Sequence, residues 1–208
     1  LPIYVSAASE MVHHLYQQGA RSFLILGSTH TRATSSAGAL RQRGIEKALS
    51  ELGLDSWAWR SVEVSPWTAE GAESALGQWL ESNTLPDAIF TMNDLLGAGA
   101  LRALSRAQVR VPEDVLVSSW DDTVLSRFST PALTTISPDT HAIAHEAVAG
   151  LIALIEGSGR AGDSRGAAET DVDAAEASNA ADNNQPSTQV SDVTVSYTLT
   201  VRESTRRV

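Results

Sequence analysis

Residues 85–122 read LPDAIFTMNDLLGAGALRALSRAQVRVPEDVLVSSWDD. This is an apolar strand, an Asn93-Asp94 turn opening an amphipathic helix, a Val-Pro-Glu-Asp connection, and a second apolar strand closing on Asp121 and Asp122. Two apolar strands joined through a helix predict a right-handed parallel βαβ unit, since the twist of the strands allows almost no other return. Its polar residues fall at the carboxyl ends of the strands, where open parallel sheets hold ligands.

The alternation extends on both sides of this unit. Ala8, Met11, Val12, Leu15 and Tyr16 recur at helical spacing, with Ser6 as the predicted cap and Gly19 as the stop. A short buried strand is predicted over 23–26, then a polar stretch over 28–36. A second helix follows with Ile45, Ala48, Leu49 and Leu52 on one face, ending at Gly53. Residues 57–64 read as a strand. Thr68 caps a third helix that turns Ala72, Ala75, Leu76, Trp79 and Leu80 inward, and Pro86 precedes a strand over 88–92. Alternating strands and helices are the α/β signature.

After Asp122 the pattern changes. Residues 131–136 form an extended crossing, and Pro138-Asp139 opens a helix bearing Ile143, Ala144, Ala147, Leu151, Leu154 and Ile155 that Gly157 is expected to end. Residues 158–190 carry almost no large apolar side chain and cannot bury enough surface to offset ordering, so they predict an acidic, flexible loop. The closing VTVSYTLTV alternates apolar and hydroxyl side chains, as a half-buried strand does.

Charge and cysteine content restrict function. The formal net charge is −10, and Asp163, Glu169, Asp171, Asp173, Glu176, Asp182 and Asp192 concentrate much of it in one segment. Neither that segment nor the remainder offers the clustered basic face that DNA phosphates require, so this chain alone is not expected to bind DNA. Zero cysteines exclude disulfides, thiolate catalysis and cysteine-ligated metals. No apolar run approaches the roughly 18 residues of a membrane span, and residues 1–20 lack a secretory pattern, which predicts a cytoplasmic protein without membrane contact.

Several words in this sequence, taken together and in order, resemble the effector-binding domain of the lactose-repressor/purine-repressor (LacI/GalR-type) regulators. They are the 85–122 stretch, Arg41-Gln42-Arg43-Gly44-Ile45, Ser119-Trp120-Asp121-Asp122, Pro131-Ala132-Leu133-Thr134-Thr135-Ile136, and Arg202-Glu203-Ser204. The resemblance implies a type I periplasmic-binding-protein-like α/β fold, with parallel-sheet lobes covered by helices on both faces. It implies a complete C-terminal lobe from 29–137 plus 198–208, and a partial N-terminal lobe from 1–28 plus 138–197 that includes the flexible loop. The family's DNA-binding headpiece does not precede Leu1, so DNA contact is expected only through that missing part.

Matching the motifs carries the family's ligand contacts onto Arg41 as a forked donor, Asn93 as mixed donor and acceptor, and Asp121 as acceptor for hydroxyls. Trp67 lies one residue off the family's aromatic position and can still stack under a ring. Trp120 either lines the cleft or packs beneath it. Each has a purely structural alternative: Arg41 as a surface ion pair, Asn93 as a helix cap, Trp67 as core. Where the family often has a glutamine two residues after its Thr-Thr-Ile, this chain has Pro138.

Other chemistry weakens on inspection. His141 and His145 stand at i, i+4, but no glutamate lies in the metalloprotease position and no third ligand is evident. Asp121 and Asp122 are adjacent and point apart in extended chain, a poor acid–base pair. Lys47, the only lysine, sits on a predicted surface helix. No metal, cofactor or catalytic residue is expected. The reading is a non-enzymatic effector-binding and dimerisation region of a bacterial repressor, taking a sugar or related polar metabolite and acting as a homodimer. A solute-binding component of a sugar transporter is the alternative.

Overall fold

Six strands form one sheet. The computed structural model describes residues 2–28, 37–54, 56–163 and 195–206. In chain order the elements are α1 (Pro2–Gln17), β1 (Phe23–Ser28), α2 (Ala37–Glu51), β2 (Trp59–Glu63), α3 (Ala69–Leu80), β3 (Ala88–Thr91), α4 (Asp94–Arg106), β4 (Leu116–Trp120), α5 (Val124–Phe128), β5 (Thr134–Pro138), α6 (Thr140–Asp163), β6 (Tyr197–Thr200) and a 3-10 turn (Glu203–Thr205). The sheet order is β2-β1-β3-β4-β5-β6. All neighbours are parallel except the last pair, β5 and β6.

Every residue of β1, β3 and β4 is buried, whereas the edge strands β2 and β6 are partly exposed. That contrast explains the sequence pattern. A parallel strand covered on both faces reads as a continuous apolar run, while an edge strand alternates. The chain steps from β1 out to β2 and then back to β3 and β4, and right-handed crossovers place α2 on one face and α3 and α4 on the other. Accordingly α1 packs on α2, and α3 on α4. Gly44 is required at the first of these contacts, because a Cβ there would run into the Val5 carbonyl.

The helix ends obey local rules. Gly19 at φ 98° closes α1 with Gly19 N donating to Tyr16 O at 3.0 Å and Ala20 N to Leu15 O at 3.1 Å, the paired bonds of a Schellman cap. Gly53 closes α2 in the same manner, with Leu54 N donating to Leu49 O at 2.9 Å. Helix α1 starts at Pro2 and not after Ser6: proline at the first helical position has no N–H to orphan, and Ser6 lies inside the helix with its Oγ donating to Ile3 O at 3.3 Å.

Contacts divide the chain into Leu1–Asp139 with Thr194–Val208, and Thr140–Val193. The sheet differs from the expected lobe boundary after residue 28. β1 hydrogen-bonds β2 on one side and β3 on the other, so 1–28 falls in one unit with 37–139 and not with 140–193. In the second unit, α6 continues through Gly157, the expected stop, to Asp163; a helical glycine costs only about 1 kcal/mol relative to alanine. Its Val148, Leu151, Ile152 and Ile155 are exposed. The rest of the expected loop, 164–190, lies outside the described residues. No helix among the described residues is long and apolar enough to cross a membrane.

Residues 202–205 latch the end of the chain onto the sheet. Ser204 Oγ donates to Val117 O at 2.6 Å and accepts from Thr134 N at 2.8 Å. Thr205 Oγ1 bonds Thr134 Oγ1 at 2.7 Å and His14 Nε2 at 2.8 Å. Glu203 accepts from Ala132 N at 2.8 Å. Removing the Ser204 hydroxyl orphans a buried carbonyl and a buried N–H, so Ser204→Ala is expected to cost about 2 kcal/mol. At this chain length that lowers Tm by about 4–8 °C by calorimetry. Glu203→Ala, at an exposed position, should cost far less.

Burial holds the His14 imidazole below its usual 6.5, with Glu10 pulling weakly upward. A base whose folded pKa is depressed contributes stability that is whole above 6.5 and is lost as pH falls through the folded value. Thermal melts of the protein should therefore drop below pH 6.5 more steeply than those of His14→Gln.

Candidate functional site

The strand order reverses direction between β1 and β3, and the carboxyl ends of these two strands form the crevice where doubly wound sheets bind ligands. The chain lines that crevice with polar groups. β1 ends in a bulge: its register with β2 slips between Leu26 and Ser28 at Gly27, which has φ 95°. Only glycine fits, since a Cβ at Gly27 would strike the Leu96 side chain of α4. Bulges of this kind re-aim the following side chain. Here that side chain is Ser28, whose Oγ is buried without a hydrogen-bond partner among the described residues.

Arg41, on α2, reaches the same place. Its guanidinium lies over the Trp120 ring at 4.3 Å from the centroid and near Tyr4 at 5.4 Å. Nη1 donates to the Met92 carbonyl at the end of β3. Nη2 stands 3.5 Å from Asp121 Oδ1, an ion pair, and Nε is buried without a partner among the described residues. Burial lowers the Arg41 pKa, with Asp121 and then Tyr4 opposing. A buried guanidinium with an unfilled donor is costly, so the cation–π contact and the Met92 carbonyl are what retain it.

Asp121 and Asp122 follow β4 with φ of 108° and 52°. Neither is glycine, and such conformations cost of order 1–3 kcal/mol each, a reserve that clusters at functional sites. The turn separates the two carboxylates. Asp121 is 40% exposed and faces Arg41. Burial pushes it up to about 6, against the pull of Arg41 and with a smaller push from Asp94. Asp122 turns away to a 2.5 Å ion pair with Arg202 Nη2. Arg202 Nη1 also donates to Leu133 O at 2.9 Å.

Asp94 holds this turn. Buried to 1% exposure, it accepts from Ser119 Oγ at 2.5 Å, Thr135 Oγ1 at 3.0 Å, Thr123 N at 2.6 Å and Thr123 Oγ1 at 2.9 Å. Its lone pairs are engaged by β4, β5 and the loop, which makes it a structural centre and no ligand acceptor.

The residues singled out from sequence therefore separate. Arg41 and Asp121 meet. Asn93 sits beside them at the end of β3, but its Oδ1 caps α4 by accepting from Leu96 N at 2.8 Å, so only its amide Nδ2 is left to face a ligand. Trp120 packs beneath Arg41, fully buried and stacked on Tyr4 at 5.9 Å, and lines no cleft. Trp67 lies in the turn between β2 and the Thr68 cap of α3, partly buried against the core. Ser28 and Asp94 escaped the sequence reading. The Gly27-Ser28 pair after an apolar run was the visible signal for the first; nothing local marked the second, whose donors come from distant segments. His141 and His145 are exposed on α6, and no group of metal-binding side chains occurs among the described residues.

Comparison with known proteins identifies the fold and family. A periplasmic binding protein-like domain matches residues 12–172. The chain is 32% identical over 142 residues to the HTH-type transcriptional repressor PurR of Haemophilus influenzae, covering 65% of this chain and 39% of that protein. It is 27% identical over 157 residues to the HTH-type transcriptional regulator GalR of Lacticaseibacillus casei, covering 74% and 47%. Among solved structures, a LacI-family regulator from Sanguibacter keddieii superposes with TM-score 0.73 at 32% identity, covering 97% of this chain and 66% of that one. A LacI-family regulator from Arthrobacter, in complex with lactose, gives 0.72 at 27% identity, covering 98% and 63%. The chain thus spans less than half the length of the curated relatives it matches. It belongs to the periplasmic binding protein-like domain family, in the form carried by LacI-type regulators.

Proposed function

We propose that this chain is the effector-binding and dimerisation region of a cytoplasmic transcriptional repressor, and that a sugar or related polar metabolite binds at the β1/β3 crevice through Arg41, Asp121 and the Asn93 amide. The observation that carries the reading is the convergence of Arg41 and Asp121 at the switch point of a sheet shared with LacI-type regulators. A partly exposed carboxylate beside a buried fork accepts ligand hydroxyls while the fork donates to ring or hydroxyl oxygens. Trp67 is the aromatic that a closing ligand would meet at the far side of the crevice. Ligand that binds the closed form better than the open one shifts the population, and in the intact regulator this shift alters how DNA-binding parts are spaced. The relatives named above are transcriptional regulators, which favours this over transport or catalysis.

A thermal-shift screen of sugars, polyols and nucleobases should find a ligand that stabilises the protein. Calorimetry with that ligand should show Asp121→Ala weakening affinity about 5- to 150-fold, the cost of one lost acceptor at about 1–3 kcal/mol. Affinity should also decline as pH falls through about 6, since the protonated Asp121 carboxyl accepts less well. Unchanged affinity in the variant would overturn the assignment.

Self-association fits the same reading. Leu95, at the start of α4, and Val124, Leu125 and Phe128, on α5, are exposed, Phe128 to 81%, and make an apolar face suited to a two-fold contact. Sedimentation at micromolar concentration should give a dimer that Phe128→Glu converts to monomer; a monomeric parent protein would refute it.

A further inference from the structure

At the opposite end of the sheet, where β1 and β2 begin and the turn after α3 returns to β3, the chain builds a second recess. It has a volume of about 200 Å³, and Trp57, Trp59, Trp79, Arg60, Asn83 and Thr84 contribute to its lining. Trp59 and Trp79 are half-buried against the core, so packing accounts for them. Trp57, beside them, leaves 70% of its surface exposed.

The polar groups here are held in place. Arg60 Nη1 donates to the carbonyls of Ser56 at 2.9 Å, Trp57 at 3.3 Å and Trp59 at 2.9 Å, so one corner of the guanidinium is pinned to the turn. Its Nε and Nη2 make no such bond among the described residues and form the donor edge that pairs two-to-two with a carboxylate. Asn83 Nδ2 donates to Trp79 O at 2.7 Å, leaving Oδ1 as an acceptor. Among the described residues no acidic side chain lines the recess, and although indoles also suit cations, Arg60 disfavours one here. Ligand pockets for drug-sized molecules run from about 300 Å³ upward, which leaves room here for one ring.

We infer that this recess is a second ligand site, taking a single six-membered ring that carries one carboxylate, with the ring against the indoles and the carboxylate on the Arg60 fork. Aromatic acids and uronic acids share this chemistry. The site lies apart from Arg41 and Asp121 and does not depend on their role.

Titration of the full chain with 4-hydroxybenzoate and with glucuronate, read by tryptophan fluorescence and calorimetry, tests it. Saturable binding by either acid is expected, with no binding by 4-hydroxybenzyl alcohol or glucose at the same site. Response to the first acid alone identifies an aromatic acid, to the second alone a sugar acid. Arg60→Gln should weaken binding about 10- to 150-fold, the worth of hydrogen bonds to a charged group, and Trp57→Ala by about tenfold. Both variants should keep the parent Tm, and Asp121→Ala should bind as the parent does. The inference fails if neither acid saturates up to about 10 mM, if neutral rings bind equally well, or if binding survives Arg60→Gln and Trp57→Ala but is lost in Asp121→Ala.

Discussion

The end of the sheet that carries the candidate site is organised around one desolvated carboxylate. Burying a charge is tolerable only when every lone pair is met, and Asp94 is met by donors from β4, β5 and the loop between them. Because those donors come from segments far apart in sequence, the carboxylate dictates the relative placement of the strand ends and the path of the loop. Asp121 owes its backbone conformation to this: its neighbours are held on both sides, Ser119 before it and Thr123 after it by Asp94, and Asp122 by Arg202. Strain at a single residue is sustained because the surroundings over-determine it.

The second element of the site is assembled by stacking. Tyr4 of α1, Trp120 of β4 and the Arg41 guanidinium of α2 form a three-way cluster, each within 6 Å of the other two. An aromatic face is a good neighbour for a guanidinium because the fork stays available at its edges while its plane is covered. The arrangement keeps a charged group inside the fold yet leaves Nε without a partner among the described residues, as the Gly27 bulge leaves Ser28 Oγ. Two unsatisfied polar atoms at one crevice contrast with the saturated environment of Asp94 a few residues away.

How much of this was legible in the sequence depends on how local each cause is. The strands, the glycine stops at Gly19 and Gly53, and the Thr68 cap follow from periodicity and capping chemistry within a few residues, and they were read from it. The start of α1 was misread because serine is a good cap, whereas Pro2 supplied an earlier start. The place of β1 in the middle of the sheet, in contrast to a separate lobe, is decided by strand pairing and left no local trace. At the site, the motif words pointed to Arg41, Asn93 and Asp121, and the strand ends bring them together. They could not reveal that Asn93 is half committed to its helix, that Trp120 is a floor and no wall, or that Arg202 exists to hold Asp122.

The latch formed by residues 202–205 also bears on the order of events when the chain first folds. His14 and Thr205 are 191 positions apart, and Thr134 and Ser204 are 70 apart. Contacts of such separation carry the largest loop-closure entropy and form late. During synthesis, β1 to β4 can pair as soon as each crossover helix emerges, but β5 lacks its outer neighbour β6, and its backbone bond to Ser204, until residues 197–204 have been made. For that interval the nascent sheet has an open edge, the condition under which partly folded chains meet one another and aggregate. Residues 202–205 therefore act as a timing element: β5 is covered, and closed to foreign strands, only once they have been made.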